Sequence, residues 1–383
     1  MWNVRIASVW GIPIRVNVSL FVFLPVLAWL IGSGAQIALY TDLVNTFAPQ
    51  PLEVETLTAG TTPWLIGVAA AVGLFLSVAV HELGHAWMGR RYGVHTESIT
   101  LWILGGIASL SAIPREWNRE FWIAVAGPGT SVLFAGVCYG LVLALPASTP
   151  VATFVFGWLV VTNLLLTAFN LLPAFPMDGG RVLRALLART RSYASATRTA
   201  ARIGSGFAIL FAVVGVLGFN PILLLLALFL YGAANGESRI VVMETLLEGQ
   251  TAADVMAREI HTVDADATVS ALVDTMLAEQ RTTYPVVDGG TVVGVVDLQD
   301  LRRARNRDQD TVTVREVMDE RVVAVEPATG AFEVMMTLSQ ARADVAVVEA
   351  PDGTAVGLIT PSEIGTAMQI RQDGDVLEPK VAM

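Results

Sequence analysis

The sequence predicts an α-helical polytopic membrane unit of about six spans, followed by a soluble α/β unit built from a tandem repeat. Three observations predict it. Of the 383 residues, 54% are hydrophobic and only 15% charged, with a mean hydropathy of +0.60. Several apolar runs of about 20 residues produce that balance at once, and a soluble domain rarely does. The formal charge of −10 is unevenly placed, because residues from Thr251 onward hold 23 Asp and Glu against 11 Lys and Arg. The part before Thr251 is therefore weakly basic, and the long apolar runs lie within it.

The expected spans are residues 18–38, 64–87, 121–145, 153–172, 203–219 and 221–232. The last two are short, are joined by an Asn220-Pro221 turn, and read as a hairpin that need not cross fully. The first run could also be a signal peptide with residues 32–35 near its cleavage site, although it starts late, and a retained helix is the reading adopted. Arg5 and Arg15 precede the first run, and the next loop, with Asp42, Glu53 and Glu55, holds no basic residue. Arg90, Arg91, Arg115 and Arg119 follow the second run, and Arg181, Arg184, Arg189, Arg191, Arg198 and Arg202 follow the fourth. Basic residues thus mark alternate loops, which places both termini of a multi-pass protein in the cytoplasm. Lys380 is the only lysine, a usage that fits a GC-rich bacterial genome. Cys138 is the only cysteine and lies in an apolar run, so the chain has no internal disulfide framework.

The second run ends in His81-Glu82-Leu83-Gly84-His85. On a helix, positions i and i+4 share a face, so the two imidazoles can meet one zinc ion, with Glu82 beside them as general base. Ionisable side chains at bilayer depth cost roughly 2.5–3.5 kcal/mol each, so three together need a reason such as a metal. The missing ligand is expected from Asp178, after the helix-breaking Pro173 and Pro176. Gly179 and Gly180 would allow a tight turn there. The competing reading makes Asp178 a loop acid capping a helix that begins near Arg181.

The H-E-x-x-H helix and the later N-x-x-P-x-x-P-x-D-G-G segment together resemble the site-2 protease family of intramembrane zinc metalloproteases. The resemblance covers the chain from about Ile12 to Asn235. It implies one zinc per chain held by His81, His85 and Asp178, with Glu82 and Asn170 as catalytic residues. The substrate would be a membrane-anchored protein cleaved in or near its own span. Gly105-Gly106-Ile107 resembles the family's membrane-embedded strand, which could pair with an unwound substrate; the alternative is a glycine turn. Ala126-Gly127-Pro128 fits the pattern too, but many relatives have Asn where this chain has Ser131, and Ser131 is assigned no role. No insertion large enough for a PDZ domain separates the second and third spans. His95 and His261 have no partner at ligand spacing and read as surface residues.

After a linker at 237–250, Val255-Met256 recurs as Val317-Met318, and Pro285-Val286-Val287 recurs as Ala346-Val347-Val348. A period near 62 with helix–strand–strand–helix patterning divides this part into 251–309 and 310–372, with a tail at 373–383. The pair resembles two CBS motifs, a regulatory module that often binds adenine nucleotides. Gly357, Thr360 and Glu363 nearly match that family's phosphate and ribose segment, with Glu in place of Asp. In the first unit Asp297 stands where a hydroxyl belongs and would repel a phosphate. A module for homodimerisation or partner docking without ligand is the alternative. The acidic balance argues against nucleic acid as a partner. The competing classes are a CBS-gated ion transporter or channel, and a catalytically inactive membrane sensor.

Overall fold

The computed structural model describes residues 3–103, 105–110, 114–258, 261–303, 311–352 and 354–377. The chain divides into two compact units, Met1–Ser238 and Arg239–Met383.

The first unit opens with a hairpin that hydropathy does not signal. Strands β1 (Asn3–Val9) and β2 (Ile12–Asn17) pair antiparallel about Trp10 and Gly11. Both turn residues have positive φ, 52° and 84°, as a tight two-residue hairpin turn requires. Ile12, Ile14 and Val16 alternate into the core. Asn17 then caps α1 (Val18–Ile31), its side chain accepting from the Ser19 N–H at 3.0 Å.

The expected continuous span at 18–38 is broken. Helix α1 stops at Gly32, and α2 (Gly34–Asn45) leaves it at 68°. Close backbone approach accounts for the glycine at the break, because a Cβ on Gly32 would stand 2.5 Å from the Pro63 carbonyl oxygen. The short α3 (Val54–Thr58) leads into α4 (Thr62–Arg91), a 30-residue helix with Pro63 in its first turn. Arg90 and Arg91 sit in its last turn, at the negative end of the helix dipole. Strands β3 (Thr96–Trp102) and β4 (Gly105–Leu110) follow, with β3 parallel to β2 and antiparallel to β4. The sheet order is β1-β2-β3-β4, which leaves β4 at an edge.

Helices α5 (Trp117–Ala144), α6 (Pro150–Asn170), α7 (Asp178–Leu187), α8 (Tyr193–Leu217) and α9 (Pro221–Leu246) complete this unit and lead out of it. Among the described residues five helices are long and apolar enough to cross a membrane, and the bent α1–α2 pair would make a sixth. The last two are longer than expected, at 25 and 26 residues. Ser192 caps α8 well before its apolar run, accepting from the Ser195 N–H, and α9 continues through 237–246, where a linker is expected. Outward leucines and isoleucines such as Leu217 and Ile222 remain 76% and 75% exposed, the surface a lipid-facing helix presents. Inside, Ile37, Ile66, Phe154 and Trp158 join α2, α4 and α6 in one core, and Asn163 Nδ2 donates to Ser77 Oγ at 2.9 Å across α6 and α4.

The second unit repeats one pattern twice. Helix α10 (Ala252–Val255), β5 (Val263–Asp264), α11 (Val269–Glu279), β6 (Thr283–Asp288), β7 (Thr291–Asp297) and α12 (Leu298–Arg303) form the first copy. A 3-10 turn at Val314–Glu316, β8 (Val322–Val325), α13 (Ala331–Ala341), β9 (Val345–Glu349), β10 (Ala355–Ile359) and α14 (Pro361–Leu377) form the second. The copies are threaded through each other. A Cβ on Gly357 would meet Met256 Sδ at 2.3 Å, and one on Gly294 would meet Met318 Sδ at 2.7 Å, so each Val-Met pair packs on the other copy's glycine. Bridges Ala257–Leu358 and Val295–Asp319 repeat the exchange in the backbone.

Candidate metal centre

Helix α4 carries His81 and His85 one turn apart on a buried face, and α7 brings Asp178 to them. The three side chains are 5%, 5% and 7% exposed. His81 Nε2 and His85 Nε2 each lie 3.1 Å from Asp178 Oδ2 and 3.1 Å from each other. A tetrahedral zinc with bonds of about 2.0–2.1 Å sets its ligand atoms roughly 3.3 Å apart, so these donors already stand near that spacing. The other ring nitrogens explain the orientation. His85 Nδ1 donates to the Ile123 carbonyl at 2.7 Å, and because a carbonyl only accepts, the ring in its neutral form turns a bare Nε2 lone pair to the centre. His81 Nδ1 lies 3.0 Å from Ser131 Oγ, which can hold that ring the same way. Two ring nitrogens and a carboxylate oxygen aimed at one point are a donor set for a cation, and these residues fit zinc. They are the only such group of three among the described residues.

Glycines make the approach possible. A Cβ on Gly127 would stand 2.2 Å from His85 Nε2 and 2.8 Å from His81 Nε2, and one on Gly84 would stand 2.4 Å from Thr130 Oγ1. Helices α4 and α5 therefore cross almost in backbone contact, as small residues allow in membrane helices. Gly179 and Gly180 serve the same purpose, not the turn expected of them. They lie inside the first turn of α7, without the positive φ of a tight turn, and Cβ atoms there would come within 2.3 Å of Leu172 O and 2.7 Å of the Ala174 carbonyl carbon. Helix α7 starts at Asp178 itself, three residues before Arg181, and its carboxylate faces the imidazoles.

A cavity of about 430 Å³ opens beside the triad, lined by Glu82, Trp102, Gly105, Gly106, Asn170 and Arg181 as well as the three donors. Asn170 is the last residue of α6, and Gly105-Gly106-Ile107 begins edge strand β4, not a turn. A Cβ on Gly106 would meet Glu82 Cγ at 2.5 Å, so β4 passes directly against that carboxylate. Ser131, to which no role was assigned, touches His81. Gly127-Pro128, four and three residues before it, carried the only sequence signal for that contact.

In the second unit, Thr360, Ser362 and Glu363 line a cavity of about 270 Å³ with His261 and Arg281. His261 is not an isolated surface residue, since its Nδ1 lies 3.0 Å from Glu279 Oε2. The Thr360 hydroxyl donates to Glu363, and the Thr360 N–H reaches the same carboxylate oxygen at 2.9 Å, closing a box at the start of α14. Gly357 lies in β10 under Met256. Asp297 Oδ1 accepts from the N–H groups of Gln299 and Asp300 at 2.7 and 2.9 Å, capping α12.

Comparison with known proteins agrees with this division. Residues 69–157 and 146–213 match Peptidase family M50, and residues 252–307 and 314–369 match the CBS domain. The zinc metalloprotease MJ0392 of Methanocaldococcus jannaschii is 32% identical over 374 residues, covering 96% of this chain and 97% of that protein. Rip3 of Mycobacterium tuberculosis is 31% identical over 379 residues, covering 94% of this chain and 91% of that protein. The solved site-2 protease from Methanocaldococcus jannaschii is 30% identical, with a TM-score of 0.40, covering 62% of this chain and 96% of that one. The chain therefore belongs to peptidase family M50, the site-2 protease type of membrane zinc metalloendopeptidase, with a tandem pair of CBS domains after the protease unit.

Proposed function

We propose that the protein hydrolyses a peptide bond within or beside a transmembrane segment of a membrane-anchored protein. His81, His85 and Asp178 would hold one zinc per chain. When bound, zinc supplies the Lewis acid that polarises the scissile carbonyl and acidifies its attacking water. Glu82 takes the proton from that water and passes it to the leaving amine. Asn170, on the cavity wall, would donate its amide to the oxygen of the tetrahedral intermediate. A helical substrate hides its carbonyls in hydrogen bonds, so it must be unwound before attack. The edge of β4 offers a template for that extended form through its backbone groups at Gly105, Gly106 and Ile107.

The observation that carries this reading is the contact of Gly106 with Glu82, which sets beside the general base a strand edge that pairs with nothing among the described residues. The test is cleavage of single-span substrates by the full chain in proteoliposomes. Loss of cleavage in Glu82→Gln with zinc retained supports it, and full activity in that variant sinks it.

Alternate basic loops support a cell-membrane protein with both termini in a bacterial cytoplasm. The CBS pair would then be cytosolic, regulating proteolysis through an adenine nucleotide near Gly357, Thr360 and Glu363 or through homodimer contacts. Such control needs a ligand that binds one arrangement of the protein better than another.

A further inference from the structure

Arg184 is completely buried, at 0% exposure, in a unit where a lone cation so placed would be costly. Its Nε donates to Glu120 Oε1 at 2.7 Å, and its Nη2 lies 2.6 Å from the same oxygen. Its Nη1 donates to Glu237 Oε1 at 2.5 Å. The guanidinium also lies over two aromatic rings, 5.0 Å from the ring centre of Phe175 and 4.8 Å from that of Tyr193. Phe175 is three residues before Asp178, and Arg184 is six residues after it on the ten-residue α7. The side chain therefore grips both flanks of the segment that delivers Asp178.

The grip originates on α5, and so do the other supports of the triad. Glu120, the Ile123 carbonyl, Gly127 and Ser131 follow each other at intervals of three, four and four residues, which is one helical face. That face fixes Arg184, His85 Nδ1, the space for both rings, and His81 Nδ1 respectively. The ion cluster is a poor stabiliser by construction. Three contacts crowd one oxygen of Glu120, while its buried Oε2 has no hydrogen-bond partner among the described residues. Buried ionic groups are often no more stabilising than apolar ones, and their best-attested use is to fix a register.

We propose that Arg184 is a positioning residue for Asp178, with Glu120 as its fixed anchor and Glu237 as its adjustable one. This rests on the reading of Asp178 as a zinc ligand. The two anchors differ in water access. The side chain of Glu120 is 3% exposed and that of Glu237 is 30% exposed, so the second contact is the one that can open. Glu237 lies on α9, the helix that leads the chain out of the first unit, so a displacement of α9 is felt at α7.

The test uses the full-length protein loaded with cobalt, whose visible spectrum reports ligand geometry. Arg184→Lys and the isosteric Glu237→Gln are compared with wild type and Asp178→Ala. The expected result is a shifted cobalt spectrum, faster metal loss by about tenfold, and kcat lowered about tenfold with KM within about twofold, the scale for losing a supporting group. Glu237→Gln should show this while its thermal transition stays near that of wild type, which keeps the test valid if Arg184→Lys folds poorly. An unchanged spectrum, metal release and kcat in Glu237→Gln, with only thermal stability lowered, would overturn the proposal. If Asp178→Ala itself keeps the wild-type spectrum, the ligand assignment has failed, separately from the role of Arg184.

Discussion

His85 donates its Nδ1 hydrogen to the carbonyl of Ile123 at 2.7 Å, and that one contact settles which nitrogen can bind metal. The Nε2 lone pair is left facing Asp178 and His81. His81→Ala, His85→Ala and Asp178→Ala are each expected to lose bound zinc on metal analysis of purified protein. Glu82→Gln should retain about one zinc per chain and lose cleavage by about 10²–10⁴-fold, the usual scale of general acid–base catalysis. Full zinc retention in Asp178→Ala would remove that residue from the site.

Ser131 and Gly127 support the rings in different ways, and their variants should differ in severity. Ser131→Ala removes the partner of His81 Nδ1 without adding bulk. Zinc affinity should fall by about 10–100-fold, measured by chelator competition. Gly127→Ala instead drives a methyl to 2.2 Å from His85 Nε2 and 2.8 Å from His81 Nε2, so both rings must leave the positions that aim them at Asp178. That variant should carry no zinc at all. Equal affinities in the two variants would show that the crossing yields more than its geometry implies.

Much of the site was legible because its signals are local. His81, Glu82 and His85 share one helical turn, and Asp178 follows two prolines that must end a helix. Groups that meet only in three dimensions were not legible. Nothing near Glu120 in the sequence announces Arg184, 64 positions away, and Ser131 meets His81 across 50 positions. The fold follows the same rule. The apolar runs located the helices, but the break at Gly32 depends on Pro63 of another helix, and the Asn3–Asn17 hairpin depends on pairing with β3. The length of α8 was missed because its amphipathic first turns, from Tyr193 on, fall outside any hydropathy window.

The loop charges give an orientation that can be read directly. A reporter fused after Gly236 should behave as cytosolic, and one placed within 42–56 as external, because Asp42, Glu53 and Glu55 face no basic residue there. The bent α1–α2 pair makes this a real test. If it enters and leaves by the same face, five spans remain and the termini lie on opposite sides. An external reading at Gly236 with a cytosolic N-terminus would establish that arrangement.

The two halves of the CBS pair offer unequal homes to a nucleotide. The cavity at Thr360 has His261 and Arg281 on its wall and a hydroxyl that can turn from Glu363 to a phosphate oxygen. The cavity at Asp300, about 410 Å³, is lined by Asp300, Glu316, Asp319 and Glu320 against only Arg303 and Arg321. Burial raises the Asp300 carboxyl pKa from its ordinary value, the mark of a place where further negative charge is unwelcome. Asp297 is committed to the cap of α12 and can only accept hydrogen bonds when ionised. Calorimetry on the full chain with AMP and ATP should therefore show at most one strong site. Thr360→Ala should weaken it by about 10–150-fold, the loss of one hydrogen bond to a charged group, while Asp297→Ala leaves it intact. Binding abolished by Asp297→Ala and untouched by Thr360→Ala would move the site to the other half. No heat with either nucleotide would leave dimerisation or docking as the role of the pair.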